Sequence, residues 1–136
     1  MTRINVIPPN ELCDQHLLAE HRELTRIPNY IVKKEGHVVL STLTSYTLGK
    51  GHVLFFRDKL LFLYLRYTSL HQECLNRGFS VTNKWPAKVK NYSHLWNNYQ
   101  VTELDIMINK ARIAERMPLK PRFTSHKNNI INKNLI

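Results

Sequence analysis

Two groups near the N-terminus could carry out chemistry together: the α-amino group of Thr2 and the carboxylate of Glu23. Thr2 is a small residue of the kind that follows a removed initiator methionine, so we expect the mature chain to begin there. An α-amine has a reference pKa of about 7.7 to 8.0, against about 10.4 for lysine, so more of it is neutral and nucleophilic near pH 7. Arg3 should lower that pKa further by like-charge repulsion. Such an amine can attack an electrophilic sugar carbon and form a Schiff base.

Glu23 is the carboxylate best placed to assist this amine, because glycosidic cleavage and elimination both need a group that takes up and returns protons. At helical spacing Arg22 and Arg26 flank it, Gln15 lies in the same row as the arginines, and His16 lies on the adjacent row. A glutamate between arginines is also an ordinary solvated surface pair, worth on the order of a few tenths of a kcal/mol. The spacing by itself leaves both interpretations open.

The chain is strongly basic. Its 136 residues include 20 Lys and Arg against 10 Asp and Glu, which gives a formal net charge of +10 at pH 7. This balance predicts a polyanionic partner, and nucleic acid, an anionic membrane surface and an acidic protein all fit it. A basic protein with no specific polyanion is the remaining alternative. Charge therefore indicates a class of partner and no particular chemistry.

Other features exclude several classes of protein. The longest apolar run, residues 60–65, is far shorter than the roughly 20 residues that cross a bilayer, and the N-terminus lacks the apolar core of a secretory signal, so we expect a cytoplasmic protein with no membrane partner. Cys13 and Cys74 are expected to be buried, reduced thiols. The spacing of the seven histidines matches no paired-ligand pattern, so we predict no metal. Phosphate-binding loops and the familiar hydrolase signatures are missing from the sequence.

The first predicted helix covers residues 11–27. Asn10 is a good N-cap after two prolines, and Pro28 is expected to end the helix. Four apolar residues fall on one stripe suited to a core, and they are Cys13, Leu17, Leu24 and Ile27. Its exposed side then carries the cations around Glu23.

The second predicted helix begins at Val53 or Arg57 and runs through Arg77. Gly78 fits the left-handed position that follows a helix, with Phe79 as its hydrophobic contact. Residues 60–65 are apolar nearly all round, which is typical of a helix covered on more than one side. We therefore expect this helix to be the central, buried one.

The third predicted helix begins with a capping-box pattern from Thr102 to Asp105 and continues to about Met117. Its apolar face is predicted to consist of Leu104, Met107, Ile108 and Ala111. The other face would carry Asp105, Asn109, Arg112 and Arg116. The tail from about residue 125, rich in Asn and Lys, is expected to be poorly ordered.

Aromatic residues alternate with lysines in the segment 84–99. Trp85, Tyr92, Trp96 and Tyr99 could stack on bases while the lysines contact phosphates. Aromatic side chains in a long loop more often fix the loop to the core, and we favour that structural role by about two to one.

Matches in separated segments make the chain resemble a known family. They are MTRIN (1–5), EL (11–12), DQHL (14–17), AE (19–20) and REL (22–24), then GHV (51–53), FF (55–56), DKL (58–60), ECL (73–75) and RGF (77–79), and finally AR (111–112) with Pro121. Together they resemble the phage T4-type pyrimidine-dimer DNA glycosylases, in register over most of the chain.

This resemblance implies an all-α fold, a single domain over residues 1–136 in which the N-terminal segment passes between three main helices. It also implies a glycosylase and abasic-site lyase that needs no cofactor and acts on double-stranded DNA containing a damaged base. The sequence carries no oligomeric signal, and we expect a monomer. The Thr2 amine would attack C1′ of the 5′ nucleotide of a cyclobutane pyrimidine dimer, and Glu23 would assist the elimination. The matching DNA-contact positions are Arg3, Gln15, His16, Arg22, Arg26, Arg112 and Arg116.

The chain also departs from the family pattern. The family's C-terminal segment is rich in Trp, Tyr and Lys and helps to hold damaged DNA, whereas residues 121–127 here keep one aromatic residue, Phe123. Two alternatives therefore stay open. One is the same chemistry on a different base or on abasic sites only, and the other is a catalytically silent DNA-binding protein that uses the same basic face.

Overall fold

Helices form the framework of the protein, for which a computed structural model describes residues 2–126. The α-helices are α1 (Asp14–Leu24), α2 (Arg26–Lys33), α3 (His52–Phe56), α4 (Leu60–Asn76) and α5 (Glu103–Glu115), with short 3-10 turns at Pro9–Glu11, Ala87–Asn91 and Ser93–Leu95. Among the described residues there is no β-strand, and the predicted all-α class is confirmed. The long helices are α1, α4 and α5, and α1 packs directly on α4.

The first predicted helix is wrong at its ends and in its continuity. It begins at Asp14, because the preceding prolines favour the separate turn Pro9–Glu11, and it breaks at Thr25. Pro28 does not end it and instead lies in the first turn of α2. A proline is tolerated there because the first N–H groups of a helix have no partner within the helix. The predicted apolar stripe is confirmed, since Cys13, Leu17, Leu24 and Ile27 are all buried.

The second predicted helix is divided into α3 and α4 by residues 57–59. The break is stabilised by the loop 84–99, because the Asn97 side chain donates a hydrogen bond to the Asp58 carbonyl at 2.8 Å. The predicted end at Gly78 is confirmed: its φ is 90°, and the Phe79 N–H donates to the Cys74 carbonyl at 3.0 Å. Residues 60–65 were expected to be covered on more than one side, but only one side of the helix is buried there: Leu63 is buried, whereas Leu65 is 49% exposed.

The predicted buried face of α5 is wrong for Leu104, Met107 and Ala111, whereas Ile108 does pack against the core. Leu104 and Met107 are 63% and 66% exposed, whereas Asp105 and Asn109 are buried. These polar side chains are buried because their hydrogen bonds are satisfied within the protein. The predicted capping box is confirmed, with the Asp105 N–H donating to the Thr102 hydroxyl and the Thr102 N–H donating to the Asp105 carboxylate.

The aromatic segment 84–99 has the structural role that we favoured. Trp85, Tyr92, Trp96 and Tyr99 are partly buried and pack against the hydrophobic core. The Trp96 indole N–H donates to the Val89 carbonyl at 2.9 Å. These rings therefore fix the loop to α4 and to the segment around α3.

Both cysteines are buried and free, as predicted. In the described part of the chain, no helix is long and apolar enough to span a membrane. Near its end the described chain is held by hydrogen bonds, and the His126 imidazole donates to Glu73 at 2.8 Å. The remainder of the predicted disordered tail, residues 127–136, lies outside the described residues.

Candidate active site

A cavity of about 310 Å³ lies where the N-terminal segment meets α1 and α5. The cavity brings the predicted catalytic carboxylate, Glu23, together with predicted DNA-contact residues. The lining residues are Arg3, Asn5, His16, Ala19, Glu20, Glu23, Ile113 and Arg116. Residues from positions more than 100 apart in sequence thus come together in one cavity. Thr2 directly precedes the first of these lining residues.

Next to Thr2, residues 4–7 are buried, belong to no helix or strand, and form hydrogen bonds to side chains of the helices. The Ile4 N–H donates to His52 Nε2 at 2.8 Å, and the Val6 N–H donates to Asn109 Oδ1 at 2.7 Å. The Ile7 carbonyl accepts a hydrogen bond from Arg66. Buried backbone groups need such partners, and here they are supplied by α3, α4 and α5. The direction of the N-terminal chain is therefore determined by several helices together.

Glu23 faces the start of the chain from α1. Its carboxylate lies 3.4 Å from Arg22 Nη2 and 4.0 Å from Arg26 Nη1, and its side chain is 16% exposed. Arg26 Nη1 also donates to the Thr2 hydroxyl at 3.5 Å. The same guanidinium group therefore contacts both residues that the sequence predicted to be catalytic.

Glu20 is a second carboxylate at the cavity, and sequence reasoning missed it. It forms a buried ion pair with Arg66 of α4, with distances of 2.7 Å to Nε and 2.8 Å to Nη2. It also accepts hydrogen bonds from the Asn5 backbone N–H and side-chain amide. The signal was present, because Glu20 lies between Leu17 and Leu24 on the buried side of α1. A charged residue at such a position requires a partner.

Arg3 and Arg116 both line the cavity, and Arg112 of α5 adds to the positive charge around Arg3. Burial, together with repulsion from Arg112 and Arg116, lowers the pKa of Arg3 below its ordinary value. Arg112 also pairs with Glu115 at 3.5 Å. Because these arginines repel one another, an anionic ligand bound between them would stabilise the cluster.

Gln15 and His16 contact the C-terminal part of the protein itself. The Gln15 side chain donates to the Lys120 carbonyl at 2.8 Å and accepts from the Arg122 N–H at 3.1 Å. The His16 imidazole donates to the Arg116 carbonyl at 3.0 Å, at the end of α5. Both predicted DNA-contact residues thus attach residues 116–122 to α1 in the protein without DNA.

A family model described as pyrimidine dimer DNA glycosylase matches residues 1–87. The chain belongs to this family. The part of this DNA glycosylase that matches includes the N-terminal segment and α1 to α4, and hence Thr2, Glu23 and the Glu20–Arg66 pair. Helix α5, with Asn109, lies outside the match, and its place at the site is known from the structure. A DNA glycosylase binds DNA, which is a polyanion of the kind that the net charge of +10 predicted.

No group of three or more His, Cys, Asp and Glu side chains is arranged to hold a metal ion in residues 2–126. The polar side chains that line the cavity are those of Arg3, Asn5, His16, Glu20, Glu23 and Arg116. This set, with one accessible carboxylate among cations, suits proton transfer next to an anionic substrate.

Proposed function

We propose that this pyrimidine dimer DNA glycosylase is also an abasic-site lyase, that it acts on cyclobutane pyrimidine dimers, and that the Thr2 α-amine is its nucleophile. The observation that carries the proposal is the contact of one guanidinium group, that of Arg26, with both Thr2 and Glu23. This contact supports a short path between the nucleophile and a carboxylate that can move protons. No metal or cofactor enters the reaction that we propose.

The cationic surroundings favour the reactive form of the amine. Arg26 contacts the Thr2 hydroxyl, and Arg3 is the next residue in the chain. Nearby positive charges disfavour a protonated amine, so they lower its pKa from an already low reference value of about 7.7 to 8.0. A larger neutral fraction near pH 7 raises the rate of attack.

The chemistry then follows in balanced steps. The amine nitrogen bonds to C1′ of the 5′ nucleotide while the C1′–N1 bond breaks, and N1 keeps the electron pair and takes up a proton. The base stays joined to its 3′ neighbour through the cyclobutane ring. The nitrogen then gives up a proton, the sugar ring opens at the C1′–O4′ bond, and O4′ receives a proton, which leaves a protonated imine. Removal of a C2′ proton expels the 3′ phosphate by breaking the C3′–O3′ bond, and water finally releases the enzyme.

Glu23 is the group that we assign to these proton transfers. Glu20 is unsuited, because each of its two oxygens already accepts two hydrogen bonds from Arg66 and Asn5. Glu23 has cationic neighbours at longer distances of 3.4 and 4.0 Å, and its side chain remains partly accessible. A carboxylate with free acceptor positions can exchange protons with a bound substrate, whereas a fully bonded one cannot.

The DNA-binding surface that we propose consists of the arginines around the cavity. They are Arg3, Arg22, Arg26, Arg112 and Arg116. Arg22 and Arg26 have side chains that are 68% and 55% exposed, which leaves them available for phosphates. We propose that Gln15 and His16 add to DNA binding through the segment 116–122, which they hold on the same face.

Borohydride trapping tests this proposal directly. The protein is mixed with duplex DNA that carries one cyclobutane thymine dimer, the imine is reduced, and the crosslinked peptide is mapped by mass spectrometry. We expect the adduct on the Thr2 amine. An adduct on abasic-site DNA alone would retain the lyase and reject the dimer as substrate. No adduct on either DNA would leave a DNA-binding protein without this chemistry.

A carboxylate variant tests the role of Glu23. Glu23→Gln should retain lesion binding but reduce strand cleavage by roughly the 100- to 10,000-fold typical of a lost acid–base group. Glu35→Gln, at an exposed position on the loop after α2, is the matched control and should cleave like the wild type. Wild-type cleavage by Glu23→Gln would remove Glu23 from the mechanism.

A further inference from the structure

Ile4 is held at both of its backbone groups by buried side chains. Its N–H donates to His52 Nε2 at 2.8 Å, and its carbonyl accepts from the Tyr46 hydroxyl at 2.9 Å. Both side chains are at most 4% exposed, so water does not compete for these hydrogen bonds. Ile4 lies two residues from Thr2, which corresponds to about 7 Å of extended chain at most. The attachment of Ile4 therefore limits where the amine can go.

The hydrogen-bond partners of His52 determine which ring nitrogen carries the proton. His52 Nδ1 lies 2.7 Å from the Thr47 carbonyl, and a carbonyl oxygen can only accept, so Nδ1 carries the hydrogen. Nε2 is then the acceptor that the Ile4 N–H requires. Burial lowers the pKa of His52, which keeps the ring neutral and the acceptor available. A proton on Nε2 would face the Ile4 N–H and break the contact.

Tyr46 connects this anchor to α5. Its backbone N–H donates to the Tyr99 hydroxyl at 3.2 Å, and Tyr99 in turn donates to Asp105 in the capping box of α5. The Tyr46 and His52 rings pack edge to face with their centroids 5.6 Å apart. The two side chains thus form one rigid unit, and that unit is joined to the helix that carries Arg112.

We propose that His52 and Tyr46 are positioning residues, which hold Ile4 so that the Thr2 amine is confined to the cavity beside Glu23. Neither of them lines the cavity, so they act on the reaction through the N-terminal chain. The inference rests on the proposed function, because it concerns the placement of that nucleophile. A misplacement of about 1 Å can lower a rate on the order of 100-fold, while contacts between arginines and phosphates remain.

The test compares rate with binding in variants of the full-length protein. Tyr46→Phe removes only the hydroxyl donor, His52→Leu removes the acceptor, and His52→Gln places an amide oxygen near the position of Nε2. Tyr67→Phe is the matched control, because Tyr67 is as buried a residue as Tyr46 but its hydroxyl hydrogen-bonds the loop at residues 82–84. The rate is that of single-turnover imine trapping on thymine-dimer duplex, and binding is measured on duplex with a reduced, uncleavable abasic site.

We expect Tyr46→Phe and His52→Leu to lower the trapping rate by roughly 10- to 100-fold with dissociation constants within about threefold of wild type. His52→Gln should recover most of the rate, and Tyr67→Phe should match the wild type. If circular dichroism shows that His52→Leu is unfolded, the rates of Tyr46→Phe and His52→Gln still decide whether the two residues position the amine.

Three outcomes would overturn the inference. They are wild-type rates in Tyr46→Phe, an equal loss of rate in the Tyr67→Phe control, and a parallel loss of rate and binding. In each of these the wild type still gives its Thr2 adduct, so the proposed function survives. If the wild-type protein itself gives no adduct on Thr2, the proposed function and the positioning role fail together.

Discussion

Replacing Arg66 by methionine should destabilise the protein strongly, because it leaves the buried Glu20 carboxylate without its cation. The pair is nearly excluded from water, with side chains 7% and 2% exposed, and Arg66 Nε lies 2.7 Å from Glu20 Oε2. Removing one partner of such a pair costs about 3 to 5 kcal/mol. Two hydrogen bonds from Asn5 to Glu20 remain, but the Ile7 carbonyl also loses its donor, so we expect a loss of about 3 kcal/mol.

The assay is equilibrium urea unfolding at pH 7, followed by circular dichroism. A change in midpoint at constant slope gives the change in free energy of unfolding. For a chain of this size, a loss of about 3 kcal/mol should also lower Tm by roughly 10 °C. Arg22→Met is the matched control, because Arg22 forms an exposed ion pair with Glu23, and such pairs contribute about 0 to 1 kcal/mol.

The double variant Glu20→Met/Arg66→Met gives a sharper test of the reasoning. Replacing an isolated buried ion pair by apolar residues is often neutral or stabilising. Here the Asn5 N–H and the Ile7 carbonyl would lose their partners as well, so the double variant should stay about 1 to 3 kcal/mol below wild type. Wild-type stability of the double variant, or a loss below about 1 kcal/mol in Arg66→Met, would refute this account of the network.

Four further predictions concern stability, charge and reactivity. Gly78→Ala should lower the free energy of unfolding by about 1 kcal/mol in urea titration, because Gly78 has a φ of 90°, and an unchanged midpoint would contradict this. Burial opposes ionisation of Asp14, but hydrogen bonds from Thr124 and Arg77 hold its pKa below the ordinary 3.8. Its ionised form therefore stabilises the fold above about pH 4, and this stability is lost as the pH falls towards the pKa of Asp14 in the folded protein. Asp14→Asn should lose less stability than the wild type on acidification, measured by urea unfolding between pH 3 and 6. Arg22→Gln should reduce the slope of log affinity against log salt by about 1 on undamaged duplex, measured by fluorescence anisotropy, and an unaltered slope would exclude a phosphate contact. Burial raises the pKa of the Cys74 thiol to about 11, so a thiol reagent at pH 8 should modify it only after denaturant is added, and rapid modification of the folded protein would show the thiol to be accessible.

The features that depend on residues close together in the chain were predicted from the sequence. The end of α4 at Gly78 and the capping box of Thr102 and Asp105 depend on hydrogen bonds between residues a few positions apart. The apolar stripe of α1 and the arginines around Glu23 depend on helical spacing, which any helix through these residues would produce. These features were predicted correctly because the interacting residues are close in the chain.

The helix limits were predicted less well where the surroundings decide between competing local structures. Pro28 could end one helix or begin the next, and the structure has it in the first turn of α2 after a break at Thr25. The division of α3 from α4 depends in part on Asn97, which is 39 residues away from its partner Asp58. A local pattern carries no information on such a distant partner.

The buried face of α5 shows the difference most clearly. Apolar periodicity predicted Leu104 and Met107 inside, but Asn109 is buried because it bonds the N-terminal chain across a separation of 104 residues. A polar side chain can be buried only where its partners are present, and partners that distant are not identifiable from spacing.

The sequence by itself determined the all-α class, the basic surface and, through family resemblance, the two residues proposed for catalysis. The tertiary structure alone decided how Thr2 is held near Glu23. Residues 4–7 belong to no helix or strand, so the course of this segment depends on side chains from three helices, His52, Arg66 and Asn109. Its position is therefore a property of the assembled fold, because each of those contacts forms only when helices distant in sequence come together.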